Sequence, residues 1–371
     1  MISSFEQFIT EYSNKFQLNK EDVGGHIDKR IVMIDDDSYY YRKECAEAEA
    51  KGVEPRQKTI RDCRLMADLY IALQNGANYQ TYLNHLVNPQ DGSDPVYPHN
   101  VSCVLKEYAK DVEIANRSSR IYVDFNLSRL YNEVVGCRIT NAMGVPTVYN
   151  IPIDSYPQYM LFEEYPRFDT VISVDFMQEG YNYCDLKELN MKTFPDIFSQ
   201  QKMDNFVSCL YSFGKEHNIP NLDEKVKEIQ SGIIDQIMVK LLACADGDLA
   251  SRNFMIKWKD GEDFAIAPCF DFELIFNDAG TIDIDKMSEY IKTIMFPYLA
   301  QYMPEKLDLF MAKLQDLVES GTLDKIMVET FPVPDVTYKR KQKYIHDYIE
   351  MVEETWLSTI IGNKDIPETS L

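Results

Sequence analysis

The sequence predicts an α+β protein with a mainly helical accessory region over residues 1–100, a small mixed β/α region over 101–177 and a mainly helical region over 178–371. Three observations lead there. From about residue 195 the apolar residues recur at helical spacing in long stretches broken by a single hairpin. Between 120 and 177, short runs alternate apolar and polar residues as strands do. The turn formers of Asn88-Pro-Gln-Asp-Gly-Ser-Asp-Pro-Val-Tyr-Pro98 divide these regions from what precedes them.

In the accessory region, Phe5, Phe8, Ile9 and Tyr12 predict a helix near 3–15, and Leu65, Met66, Leu69, Tyr70 and Leu73 another over 58–74. Between them Ile31 to Ile34 reads as a short strand. It ends at Asp35-Asp36-Asp37, a polar turn without the Gly and terminal Glu of an EF-hand loop. Arg120-Ile-Tyr-Val-Asp-Phe125 alternates like a strand. Leu130 to Met143 has helical periodicity, with Gly144 as its C-cap and Pro146 just beyond. Strand signals resume at Thr147–Ile151, Gln158–Glu163 and Thr170–Met177. Helices follow at 195–217, 222–244, 284–301, 304–318 and 336–360, with a hairpin over 253–268. No internal repeat is visible.

At 371 residues, with 45% apolar and 12% aromatic side chains, the chain can bury a sizeable core. Asp plus Glu number 60 against 38 Lys plus Arg, a net charge of −22. That balance repels phosphate backbones and anionic membranes, so the expectation is no direct nucleic acid and no membrane. The densest basic cluster, Lys339-Arg340-Lys341-Gln342-Lys343, reads as the solvated start of a helix. Eight scattered cysteines with apolar flanks and no C-x-x-C pair read as buried thiols in a reducing compartment. No segment approaches the roughly 18 uninterrupted apolar residues of a membrane span. The N-terminus lacks a basic region followed by an apolar core. A cytoplasmic protein is the expectation.

The strongest chemical signal lies between 246 and 273. Asp248 follows a helix whose Val226, Ile229, Ile233, Ile234, Ile237, Met238, Leu241 and Leu242 mark a core face, with Gly247 as the break. There its carboxylate could orient a hydroxyl or take its proton. Asn253, five residues on, offers an amide oxygen, and Asp271, beyond the hairpin, a carboxylate. This oxygen donor set suits Mg²⁺ bridging the phosphates of ATP. Asp and Asn also favour turns, so either one alone would be an ordinary loop residue. The five histidines form no metal-ligand spacing.

Asp246-Gly-Asp-Leu-Ala-Ser-Arg-Asn-Phe254 and Ala267-Pro-Cys-Phe-Asp271 resemble the catalytic loop and metal-binding motif of HipA-type Ser/Thr kinases, members of the protein-kinase-like superfamily. Tyr131-Asn-Glu-Val-Val-Gly-Cys-Arg-Ile-Thr-Asn-Ala-Met-Gly-Val-Pro146 is similar to the family's N-lobe helix. The resemblance covers roughly residues 115–300. It implies a bilobal protein-kinase-like fold, with 101–177 as N-lobe and 178–371 as C-lobe. It also implies ATP and Mg²⁺ as cofactors, a protein substrate phosphorylated on Ser or Thr, a toxin-type role and an antitoxin-like protein partner. By position Asp248 is the catalytic Asp, Asn253 and Asp271 are the metal ligands, and Glu133 is the helix Glu that pairs with a strand Lys. A Glu in a first helical turn is also favoured by the helix dipole alone.

The strand expected to carry that Lys reads Ile121-Tyr-Val-Asp124-Phe, which puts an acidic residue in its place. Arg120, Arg129 and Arg138 are the cations left to bind phosphate. No glycine occurs over 106–120, so Asn116-Arg-Ser-Ser119 stands where a phosphate loop is expected. The segment Ile172-Ser173-Val174-Asp175-Phe176 would join the lobes and offer backbone groups to adenine, or be an ordinary buried strand. Two alternatives stay open: a small-molecule phosphotransferase of the aminoglycoside or choline kinase type, and a pseudokinase interaction module.

Overall fold

The computed structural model describes residues 28–34, 101–107, 120–148, 150–153, 170–174, 176, 180–189, 197–246, 248–277, 284–330 and 336–364. The helices expected near 3–15 and 58–74, the triple-Asp turn at 35–37, the turn-rich stretch at 88–98, the Asn116–Ser119 segment and the strand expected over 158–163 lie outside the described residues. The chain divides into two compact units, one of residues 1–134 and 148–176, the other of 135–147 and 177–371. The fold is mixed α+β.

In the first unit, β1 (Asp28–Ile34), β2 (Val101–Glu107), β3 (Asn150–Ile153) and β4 (Thr170–Val174) form an antiparallel sheet in the order β1-β2-β4-β3. β1 comes from the stretch expected to be accessory, and it pairs along its length with β2. Successive side chains of a strand point to opposite faces. The register sets Lys106 opposite Val171 and Asn150 opposite Ser173, so these residues share one face. Val171 on that face packs against Leu130 and Val134 of α1 (Arg120–Ala142), with Tyr131 at the edge.

Residues Arg120–Phe125 are therefore helical, correcting the strand expected there. The alternation of Ile121, Val123 and Phe125 is too short to tell a strand from a helix face. With no proline and no glycine before Gly136, nothing stops the helix of Leu130 from extending back to Arg120. Its end is as expected, at Gly144 with φ 76.

The second unit has a small sheet of β5 (Asn182–Asp185), β6 (Met255–Lys259) and β7 (Asp263–Ile266), in that order. β6 and β7 are the expected hairpin, turning through Gly261 at φ 69. β5 and β2 were not anticipated. Helices α2 (Gln200–Glu216) and α3 (Leu222–Met238) precede the hairpin. The apolar stripe of α3 is buried as its spacing predicts, and α3 runs into a π-helical turn, Val239–Ala243.

Beyond the hairpin come α4 (Ile284–Tyr290), a second π turn (Ile291–Met295), α5 (Phe296–Tyr302), α6 (Pro304–Glu319), the unanticipated α7 (Thr322–Thr330) and α8 (Val336–Lys364). Pro304 opens α6 where the missing N–H costs nothing. In the basic cluster Lys339, Arg340 and Lys343 are exposed as expected, but Lys341 is buried, its Nζ 5.6 Å from the Phe276 ring centroid. The cysteines at 137, 184, 209, 244 and 269 are free thiols, buried except for Cys209. Among the described residues no helix is long and apolar enough to cross a membrane.

Candidate active site

In the first unit the central feature is an ion pair between Lys106 of β2 and Glu133 of α1. Both side chains are buried. Asn150 of β3 adds its Nδ2, which donates to Glu133 Oε2 at 3.0 Å and to the Glu133 carbonyl at 3.2 Å. A buried carboxylate costs several kcal/mol, on the order of its desolvation, unless a charge and hydrogen bonds meet it. Here Lys106 and Asn150 do so from one sheet face, on the two strands that flank β4.

A lysine on a strand, Lys106, is thus the partner of Glu133, and Asp124 lies on α1 instead of a strand. Glu133 lies well inside α1, so the dipole of a first turn does not account for it. Arg120 is the first residue of α1 and Arg129 is half-buried on it, so neither lies on a strand. Ser173 is buried on β4, a strand paired on both sides, and Phe176 is half-buried; Asp175 lies outside the described residues.

In the second unit α3 delivers the loop of Asp248. The π turn ends at Ala243, Ala245 just beyond it is left-handed with φ 48, and the Asp246 N–H closes on the Lys240 carbonyl at 2.9 Å. The chain reversal therefore falls before Gly247, the residue expected to provide it, which lies outside the described residues. Asp248 is half-buried; its N–H donates to Asp246 Oδ1 at 2.9 Å, and its Oδ2 accepts from the exposed Arg252 at 3.2 Å. Asn253 is buried in the 3₁₀ turn Ser251–Asn253, and its Nδ2 donates to the Asp248 carbonyl at 3.0 Å. With the amide nitrogen so used, the amide oxygen is the group left for a cation.

Asp271 follows β7 by way of Cys269, whose N–H donates to Pro146 O at 2.8 Å and whose carbonyl accepts from Thr147 Oγ1 at 2.9 Å. Asp271 has φ 62, a conformation that L residues other than Asn and Asp seldom adopt. Its carbonyl accepts from Lys240 Nζ at 2.6 Å. A carboxylate oxygen of Asp271 and one of Glu273 lie within 4.8 Å of each other. The next residue, Phe272, is fully buried, and a Cβ built on Gly136 would meet its side chain at 2.5 Å.

Lys240 itself is completely buried and bonded to Asp246 Oδ2 at 2.8 Å. Burial disfavours its charge, but the Asp246 carboxylate outweighs this and holds the ammonium pKa above the ordinary lysine range. Asn253, Asp271 and Glu273 offer only oxygen, the donor type that Mg²⁺ prefers, so the residues present fit that ion.

No family model matches the chain, and no curated protein does. Solved structures do show likeness. A Helicobacter pylori proinflammatory kinase, CtkA, is 12% identical over 65% of this chain and 83% of its own, with a TM-score of 0.43. The HipA of Shewanella oneidensis MR-1, from a toxin–antitoxin complex with HipB and operator DNA, is 11% identical over 74% of this chain and 63% of its own, with a TM-score of 0.40. HipA is among its structural neighbours.

Sequence reasoning singled out Asp248, Asn253, Asp271 and Glu133 and missed Lys106, Asn150, Lys240 and Glu273 as partners. A signal for Lys106 existed. Val101, Cys103 and Leu105 alternate with Ser102, Val104 and Lys106, a strand pattern carrying a lysine on the Val104 side.

Proposed function

We propose that this protein is a HipA-like phosphotransferase that moves the γ-phosphate of Mg-ATP to a Ser or Thr hydroxyl of a protein. In this reading the first unit is the N-lobe of a bilobal kinase, taking in β1, and the second unit is the C-lobe. Lys106, held by Glu133, contacts the nucleotide phosphates. Asp248 orients the acceptor hydroxyl and receives its proton as the new P–O bond forms and the bond to the β-phosphate oxygen breaks, with ADP leaving. Asn253 and Asp271, with Glu273 beside them, hold Mg²⁺, which neutralises phosphate charge when bound.

The observation that supports this most is the Lys106–Glu133 pair, because it supplies the strand cation whose apparent absence motivated the pseudokinase alternative. The protein acceptor and an antitoxin-like partner rest on the sequence resemblance alone.

The test is transfer of labelled γ-phosphate from Mg-ATP to the purified protein and to a cell extract, with Asp248→Ala as control. Label on protein that vanishes in the variant is the expected result. Label on a small molecule would favour the aminoglycoside or choline kinase type. No transfer and no ATP hydrolysis by the wild type would overturn the reading in favour of a pseudokinase.

A further inference from the structure

We propose that Lys240 and Asp246 are the positioning residues of this site, a buried ion pair that ties the Asp248 loop to the Asp271 loop and thereby sets the metal ligands in register. The inference rests on the reading of Asn253 and Asp271 as ligands given above, and adds what holds them.

Four contacts carry it. Asp246 accepts from the Asp248 N–H through Oδ1, at 2.9 Å, and from Lys240 Nζ through Oδ2, at 2.8 Å. Lys240 Nζ reaches on to the Asp271 carbonyl at 2.6 Å. The same ammonium stands 4.5 Å from the Phe272 ring centroid, which fixes the residue after Asp271. A continuous chain of bonds therefore runs from the backbone of one loop to the backbone of the other through two side chains with no exposure. The carbonyl that Lys240 holds belongs to a left-handed residue, and φ 62 is sustained only where the surroundings over-determine it.

The helix is built to present this lysine. Lys240 lies in the π turn Val239–Ala243, whose wider winding shifts the side-chain register by one residue and loosens the carbonyl ladder. One of the carbonyls, Leu241 O, is met at 2.8 Å by the hydroxyl of Tyr348, buried on α8. A π turn kept in a buried helix with a dedicated side-chain donor is costlier than a regular turn. What it gains is Lys240 at the junction of the two loops.

A buried ion pair can be exchanged for apolar residues at little cost in stability, which separates a positioning role from a merely structural one. In Lys240→Met/Asp246→Leu no buried charge is left alone, so the protein should still fold cooperatively, at a Tm lowered by the two backbone groups that lose their partners. Mn²⁺ binding in the presence of ADP, read by the EPR signature of the bound ion, should weaken about 10- to 100-fold, the usual consequence of losing an outer partner of a metal site. A folded double variant that binds Mn²⁺ within about threefold of the wild type overturns the proposal.

Amide exchange of the wild-type protein is the second measurement, and it needs neither metal nor a folded variant. The Asp248 N–H, bonded to a fully buried carboxylate, should exchange as slowly as the core of α3. Exchange at the rate of an open loop overturns the proposal. Wild-type protein that binds no Mn²⁺ would instead overturn the phosphotransferase reading, and amide exchange would still decide whether the pair holds the loop.

Discussion

Lys106 of β2 and Glu133 of α1 form an ion pair in which both side chains are buried, with Asn150 donating to the same carboxylate. Removing only the lysine in Lys106→Met leaves the carboxylate uncompensated. Stability should fall by about 3–5 kcal/mol. Adding Glu133→Leu should recover most of that loss. Phosphate transfer should fall about 10²- to 10³-fold in both variants, because neither restores the cation. Urea unfolding beside the transfer assay checks both parts, and full activity in the double variant would deny Lys106 a role in the chemistry.

Gly136 and Phe272 set a second constraint. The built Cβ at Gly136 meets Cβ, Cγ and Cδ1 of Phe272 within 2.6 Å, so the near end of the side chain is in the way, not a flexible tip. Gly136→Ala should gain about 1 kcal/mol of helix propensity. Overpacking costs about 1–3 kcal/mol and dominates. Net destabilisation in urea is expected, together with weaker metal binding as Phe272 carries Asp271 with it. A stabilised Gly136→Ala variant would mean the two do not pack this closely.

The helices of the second unit were legible because their apolar stripes are long, and a long stripe has one interpretation. The stripe of α3 gave its burial residue by residue, and Asp248 with Asn253 followed from where that helix stops. Short elements were legible only in part: the β6–β7 hairpin was, while others were not. Arg120–Phe125 carried too few alternations to outweigh the helix behind it, and β5 is four residues with a polar residue at each end. The error at α1 had a chemical consequence, because a misplaced strand put Asp124 where the resemblance expects a lysine and hid Lys106. Lys240 was hidden for another reason. Regular helical spacing gives no sign that a π turn will set a lysine inside a core.

Asp263 supplies a pH prediction. Burial would raise its pKa, but Lys225 Nζ at 3.0 Å and the Tyr181 hydroxyl at 2.9 Å outweigh this and bring it below the ordinary 3.8. A depressed carboxylate contributes stability above its unfolded pKa and loses it as pH falls through the folded one. The advantage of wild type over Asp263→Asn should therefore be constant at pH 6 to 7 and shrink once pH drops below about 4. Thermal melts of both proteins across that range test it, and a gap that widens in acid would reverse the sign.

Thiol reactivity should follow burial. Burial, aided by nearby carboxylates, pushes the Cys184 thiol up to about 12, and burial pushes Cys269 to about 12 as well. Cys209 is only half-buried. At pH 8 iodoacetamide should modify Cys209 in the native protein and spare Cys184 and Cys269 until urea unfolds it, since the thiolate is the reacting form. Peptide mapping by mass spectrometry reads the order directly. Equal labelling of Cys269 and Cys209 in the native state would contradict the packing around the segment that leads from β7 to Asp271.

Asp271 combines the proposed ligand carboxylate with a left-handed backbone, and two substitutions separate them. Asp271→Ala and Asp271→Gly both remove the carboxylate, so Mg²⁺-dependent nucleotide binding should be lost in each. They differ only in what the backbone tolerates. At φ 62 an alanine Cβ crowds the following carbonyl, while glycine has no Cβ to crowd it. The glycine variant should therefore be the more stable by about 1 kcal/mol, against the usual order in which glycine loses more chain entropy on folding. Paired urea titrations measure the difference. Greater stability of the alanine variant would show that Asp271 is not left-handed in solution, and with it that its carbonyl is not where Lys240 could hold it.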